Sequence, residues 1–264
     1  MNRIEKTFAD LKSKGEKALV GFVSAGDPDM DTSLKIVTAM CAAGCDILEL
    51  GVPFSDPTAD GPVIQKASAR ALAAGTNLPA VLEMTKKLRQ KTEVPIILFS
   101  YYNPILAFGP KAFHEAGRDA GADGVLVVDL PPEEAAELTD CGAKDPLPMI
   151  RLIAPTTPVA RMAEIAKAAD GFLYLVSKTG VTGSDGLDTG DVDLHIAELK
   201  SVTDLPVCVG FGISTPEDVA TIAQNADGVV IGSAFERIIE ANQDAPDLPG
   251  FIAAYVRDLK AATC

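Results

Sequence analysis

One phrase recurs along the chain and limits what it can fold into: a step of small residues, an aspartate, then an uninterrupted apolar run. It reads AGCDILEL at 43–50, AGADGVLV at 120–127, AADGFLYL at 168–175 and NADGVVIG at 225–232. Small residues and glycine suit the end of a helix. An unbroken Val/Ile/Leu run suits a strand buried on both faces, as the strands of a parallel sheet are. Four further apolar runs, ALVGFVSAG at 18–26, VPIILFSYY at 94–102, LPMIRLIAP at 147–155 and LPVCVGFGI at 205–213, bring the expected strands to eight.

Between these runs lie segments of helical period, among them SLKIVTAMCAAG, VARMAEIAKAA and TPEDVATIAQNA. The last is preceded by Ser214 with Glu217 three residues on, which predicts a capping box. Strict alternation of strand and helix fits either a closed barrel or an open, doubly wound sheet. Eight strands, with no Gly-rich dinucleotide fingerprint after the first, favour an α/β fold of the (β/α)8 TIM-barrel type. A length of 264 residues suits one such barrel, so residues 1–264 are expected to form a single domain. The opening MNRIEKTFADLKSKGEK reads as an extra amphipathic, charged N-terminal helix rather than a secretory signal. No apolar stretch reaches the roughly 18 to 20 residues that span a bilayer. A cytoplasmic location is the expectation.

The spacing of the strands is uneven. Long gaps follow the second and sixth, and their first residues, GVPFSDPTADGPV and SKTGVTGSDGLDTGD, are rich in Gly, Pro, Asp and Thr. In a barrel such loops lie on the catalytic face, where they read as lids; plain surface insertions are the alternative.

Within DILELGVPF, alternation puts Ile47, Glu49 and Gly51 on one face and Leu48, Leu50 and Val52 on the other. If the leucines pack against the outer helices, Glu49 points into the barrel near its mouth. Burial there raises a carboxyl pKa toward the range useful for proton transfer, the competing reading being a structural ion pair. Asp60, in TADGPV, suits a cap for the following helix, or a carboxylate held over the pocket to accept a hydrogen bond from a ring N–H. Asp129, in VLVVDLPP, either orients a substrate or ends a strand in a turn. Asp56 and Asp185 read as solvated loop charges or partner contacts.

GFGIST at 210–215 and IGSAFE at 231–236 follow the seventh and eighth strands. Glycine turns leading into helices at these positions commonly hold a phosphate on backbone N–H groups, and Gly183 in GVTG offers another donor; tight turning is the alternative. Such a cradle needs no basic side chain, which suits a chain of net charge −14. That charge argues against nucleic acid and anionic membranes as partners. The cysteines (41, 45, 141, 208 and 264) form an odd set without a paired CxxC, arguing against a disulfide framework or a zinc site. Cys41 and Cys45 read as core packing on a helix. With His114 and His195 as the only histidines, both in predicted helices, a catalytic site must rest mainly on carboxylates.

At LELGVPFSDPTADGPVIQ the chain closely resembles the tryptophan synthase alpha chain family, and GVTG, GFGIS and GSA follow in the same order and spacing, so that the likeness covers essentially the whole chain. The resemblance implies retro-aldol cleavage of indole-3-glycerol phosphate to indole and glyceraldehyde 3-phosphate, with no cofactor and no metal in this subunit. It places the catalytic pair on Glu49 and Asp60. It implies an indole pocket of Phe22, Phe99, Leu126, Tyr174 and Phe211, with Thr182 assisting Asp60, and a phosphate cradle of Gly183, Gly212, Gly232 and Ser233. Core packing is the alternative for the aromatics. It further implies an α2β2 heterotetramer whose beta chain carries pyridoxal phosphate and consumes the indole, with Pro53, Asp56 and Pro57 as partner contacts. Two positions depart from the family pattern: Thr58 replaces a more usual aliphatic residue, and Lys178 stands where some members carry Arg. Competing expectations are a phosphosugar isomerase or synthase barrel, which needs a Lys or His at a strand end, with Lys178 as its candidate, and a catalytically idle regulatory subunit.

Overall fold

The computed structural model describes residues 1–177, 189–210 and 212–264. Eight parallel strands close into a barrel in sequence order. They are β1 (Ala18–Ser24), β2 (Ile47–Gly51), β3 (Ile96–Ser100), β4 (Gly124–Val127), β5 (Met149–Ile153), β6 (Leu173–Val176), β7 (Val207–Gly210) and β8 (Gly228–Ile231). The helices are α1 (Arg3–Lys14), α2 (Met30–Ala43), α3 (Pro62–Ala73), α4 (Leu78–Arg89), α5 (Tyr102–Phe108), α6 (Pro110–Ala120), α7 (Ala136–Thr139), α8 (Val159–Lys167), α9 (Thr189–Lys200), α10 (Pro216–Ala223), α11 (Ser233–Ala241) and α12 (Leu248–Ala261). No helix among the described residues is long and apolar enough to cross a membrane.

Alternation along the strands divides the core in two. Val20, Ile47, Ile97, Leu126, Ile150, Cys208 and Val230 fill the barrel interior. Leu48, Leu50, Leu98, Val125 and Val209 face outward onto the helices. The extra helix α1 closes the N-terminal end: Ile4 and Leu11 join the interior cluster, and Phe8 lies 5.9 Å from Phe172, ring centre to ring centre.

The recurring aspartate has a mechanical role at that same end. Its own N–H donates to a carbonyl of the preceding strand: Asp46 to Leu19, Asp123 to Ile96, Asp170 to Met149 and Asp227 to Val207. In three of the repeats the carboxylate also accepts an N–H from that strand, from Leu19 to Asp46 (2.8 Å), Ile96 to Asp123 (2.9 Å) and Val207 to Asp227 (3.0 Å). Each of these three carboxylates meets a cation, respectively Lys260, Arg89 and Lys200. The repeat therefore sets strand register at the N-terminal rim.

Three sequence expectations are corrected. The long gap after β2 is only partly loop, since it holds two helices, α3 and α4. The capping box of α10 is formed by Thr215 and Asp218, not Ser214 and Glu217; Asp218 also accepts the N–H of Ser214. Cys45 lies beyond α2, because Gly44 ends that helix in the left-handed conformation (φ 113°), although Cys45 is buried as core packing requires. The loop expected as a lid after β6, residues 178–188, lies outside the described residues.

Candidate active site

β2 delivers Glu49 to the interior face, level with Phe22 of β1 and Ile97 of β3. Its side chain is fully buried, and neither carboxyl oxygen meets a hydrogen-bond partner among the described residues. No ion pair holds Glu49 among the described residues. Removal from water pushes its pKa up to about 8, so the carboxyl holds its proton at neutral pH.

Above Glu49 opens a cavity of 360 Å³ at the C-terminal mouth, within the range of small-molecule sites. Phe22, Phe99, Tyr174, Val176 and Val230 form its apolar wall; Asp60 lies on one side, and Gly212, Gly232 and Ser233 lie on another. Phe22 and Phe99 meet edge to face at 4.9 Å. Glycines make room for the rings: a Cβ on Gly51 would come within 2.8 Å of Phe22, and one on Gly210 within 2.2 Å of the Tyr174 hydroxyl.

Asp60 does not cap α3. Gly61 occupies the cap position without a side-chain hydrogen bond, and Asp60 instead accepts the hydroxyl proton of Tyr101 at 3.0 Å. Tyr101, just past β3, accepts the N–H of Ala59 at 2.9 Å with the same oxygen, and its ring packs on Phe54 at 5.3 Å. Phe54 is tied in turn to Ser68 of α3 through both its N–H and its carbonyl. Partial burial raises the Asp60 pKa to about 6, the Tyr101 hydrogen bond opposing the rise. Two carboxyls of one cavity thus differ in charge at neutral pH, Glu49 protonated and Asp60 ionised.

The remaining expectations divide. Leu126 is buried in the barrel interior and is not among the residues lining the cavity. Phe211, Thr182, Gly183, Lys178 and Asp185 lie outside the described residues. Asp129 is exposed and accepts the N–H of Tyr102 at 2.7 Å, serving the start of α5, whose own cap residue makes no side-chain bond. Pro53 is buried, whereas Asp56 is exposed and Pro57 half-buried. Thr58 is exposed and lines the cavity. His114 is held in the outer layer, accepting the Leu147 N–H at Nδ1 and facing the Leu138 carbonyl with Nε2. No Lys or His lines the cavity among the described residues; Lys178, the candidate base of the phosphosugar isomerase reading, lies outside them. Tyr101 escaped the sequence reading; the signal was a tyrosine one residue past a strand at the barrel's mouth.

A buried carboxyl without a hydrogen-bond partner among the described residues, at the floor of an apolar cavity in the mouth of a TIM barrel, suits an enzyme of the acid/base class. The family profile described as tryptophan synthase alpha chain matches residues 8–262. The tryptophan synthase alpha chain of Desulfosudis oleivorans is 63% identical, over 100% of this chain and 99% of the relative, and that of Desulfatibacillum aliphaticivorans is 60% identical over the same shares. Among solved structures, the alpha subunit from Legionella pneumophila superposes with a TM-score of 0.91 at 40% identity, covering 100% of this chain and 98% of that one. Tryptophan synthase from Mycobacterium tuberculosis gives 0.91 at 33% identity, covering 99% and 98%. The chain belongs to the tryptophan synthase alpha chain family, lyases of tryptophan biosynthesis that cleave indole-3-glycerol phosphate.

Proposed function

We propose that Glu49 and Asp60 carry the cleavage of indole-3-glycerol phosphate in this barrel. The observation that supports this most is the buried Glu49 carboxyl at the floor of the cavity, neither oxygen of which has a hydrogen-bond partner among the described residues. Protonated Glu49 gives its proton to C3 of the indole ring, leaving a positive charge spread onto the ring nitrogen. The Asp60 carboxylate accepts the hydrogen bond of that N–H and stabilises the cation. Glu49, now ionised, takes the proton of the hydroxyl next to the ring. The carbon–carbon bond breaks, its electron pair returns to the ring, and indole and glyceraldehyde 3-phosphate leave. The proton balance closes on Glu49 alone.

Phe22, Phe99 and Tyr174 suit the flat indole, and the turns at Gly212, Gly232 and Ser233 suit the phosphate, since α11 begins there and its N-terminus favours an anion. No step in this chemistry calls for a cofactor in this chain. The indole passes to a beta chain carrying pyridoxal phosphate, in an α2β2 assembly, with Asp56 and Pro57 at the contact. Asp56 is exposed and Pro57 half-buried, both beside Asp60 in the chain, which supports that placement.

The pH dependence of kcat/KM for indole release tests the pair. Activity needs Asp60 ionised and Glu49 protonated, so kcat/KM should rise through about pH 6 and fall through about pH 8. A profile that keeps rising through pH 9 would contradict the role of Glu49.

A further inference from the structure

Behind the cavity wall lies a second buried carboxyl that the reaction leaves unused. Glu236, in the first half of α11, is fully buried; its Oε1 accepts the N–H of Ser24 at 2.5 Å, and its Oε2 has no hydrogen-bond partner among the described residues. Burial and the neighbouring Asp27 carboxylate push its pKa well up. Asp27, also buried, takes a two-pronged hydrogen bond from Arg70 of α3, Nε to Oδ1 at 2.8 Å and Nη2 to Oδ2 at 2.7 Å. Arg70 also faces Glu240 of α11 at 3.6 Å, and Glu240 faces Lys66 of α3 at 3.5 Å.

Glu236 thus ties α11 to the end of β1 at Ser24, the Ser24 carbonyl accepts the N–H of Asp27 at 3.2 Å, and Asp27 in turn holds Arg70 of α3. Both helices begin at the cavity: Gly232 and Ser233 at the start of α11, Gly61, Val63 and Ile64 at the start of α3. A buried carboxyl with a bare oxygen is a costly way to fill space. Its position, one turn behind the helix N-terminus, points to a use.

We propose that Glu236 is a positioning residue for the substrate phosphate: by tying α11 to Ser24 and, through Asp27 and Arg70, to α3, it sets the helix N-terminus against the Asp60 side of the cavity. The inference rests on the reading of Gly232 and Ser233 as the phosphate cradle. Glu236 touches neither substrate nor reacting atoms; its effect falls on binding.

The experiment is steady-state cleavage of indole-3-glycerol phosphate by variants of the full chain, each checked for folding by circular dichroism and Tm. Glu236→Leu keeps the volume and removes the acceptor, and should raise KM about tenfold while kcat changes by less than about threefold. Glu236→Gln keeps an acceptor for Ser24 and should restore KM to within about twofold of wild type. A folded Glu236→Leu with unchanged KM, or an effect confined to Tm, overturns the proposal. Should that variant fail to fold, Arg70→Lys loses the two-pronged bond at the α3 end and should raise KM by about threefold or more; an unchanged KM there overturns it equally. Ser233→Asp separates the two readings. If it leaves KM unchanged, the phosphate cradle itself is misplaced and the proposal falls with it; if it raises KM while Glu236→Leu does not, only the positioning role of Glu236 is lost.

Discussion

Two carboxyls in one cavity differ in charge at neutral pH because their surroundings differ. Glu49 is fully buried and has no hydrogen-bond partner among the described residues, and Asp60 has a tyrosine hydroxyl and partial exposure. Tyr101 therefore matters to Asp60, since its hydrogen bond favours the charged form that the ring cation requires. Tyr101→Phe should move the acid limb of the kcat/KM profile to higher pH and lower kcat/KM at pH 6.5 by roughly 3- to 10-fold, measured by indole release. An unmoved acid limb would remove Tyr101 from the account. Glu49 was legible from the sequence because strand alternation separates it from Leu48 and Leu50. Asp60 was visible only as a choice between cap and cavity, since which group a loop carboxylate meets depends on chain brought in from 41 residues away. For the same reason Tyr101 and Glu236 were not legible: the first needs the folded loop over it, and the second faces Ser24 across the closure of the barrel.

At the scale of elements, the repeat of small residue, aspartate and apolar run marked four of the strands, and the structure supplies its physical reason in the hydrogen bonds those aspartates make to the preceding strand. The bonds lie at the N-terminal rim, far from the cavity, so stability and catalysis should separate there. Asp123→Ala leaves Arg89 and Arg3 without their buried partner and should lower stability by roughly 3 kcal/mol in denaturant unfolding, with kcat/KM within about twofold of wild type. A large fall in kcat/KM without loss of stability would contradict this division. The second helix after β2 was less legible, because Gly75 and Asn77 punctuate what a spacing argument counts as one long gap. Gly51 and Gly210 read as strand residues from the pattern; only the packed rings of Phe22 and Tyr174 show why no side chain fits there.

For the molecule as a whole, the site and the stability of the fold pull against each other. Glu49 has a raised folded-state pKa, so the cost of burying it is absent below its ordinary value of 4.5, grows as pH rises to about 8, and is constant above that. Glu49→Gln should therefore stabilise the protein most above pH 8, by roughly 2–4 kcal/mol, and hardly at all near pH 4, as Tm measured against pH would show. A gain that is the same at every pH would contradict the burial of an ionisable group there.

The same variant tests the central claim most directly. If Glu49 both delivers the ring proton and removes the hydroxyl proton, Glu49→Gln, folded and at saturating indole-3-glycerol phosphate, should release indole at least about 100-fold more slowly than wild type. Equal rates in the two proteins would contradict the mechanism.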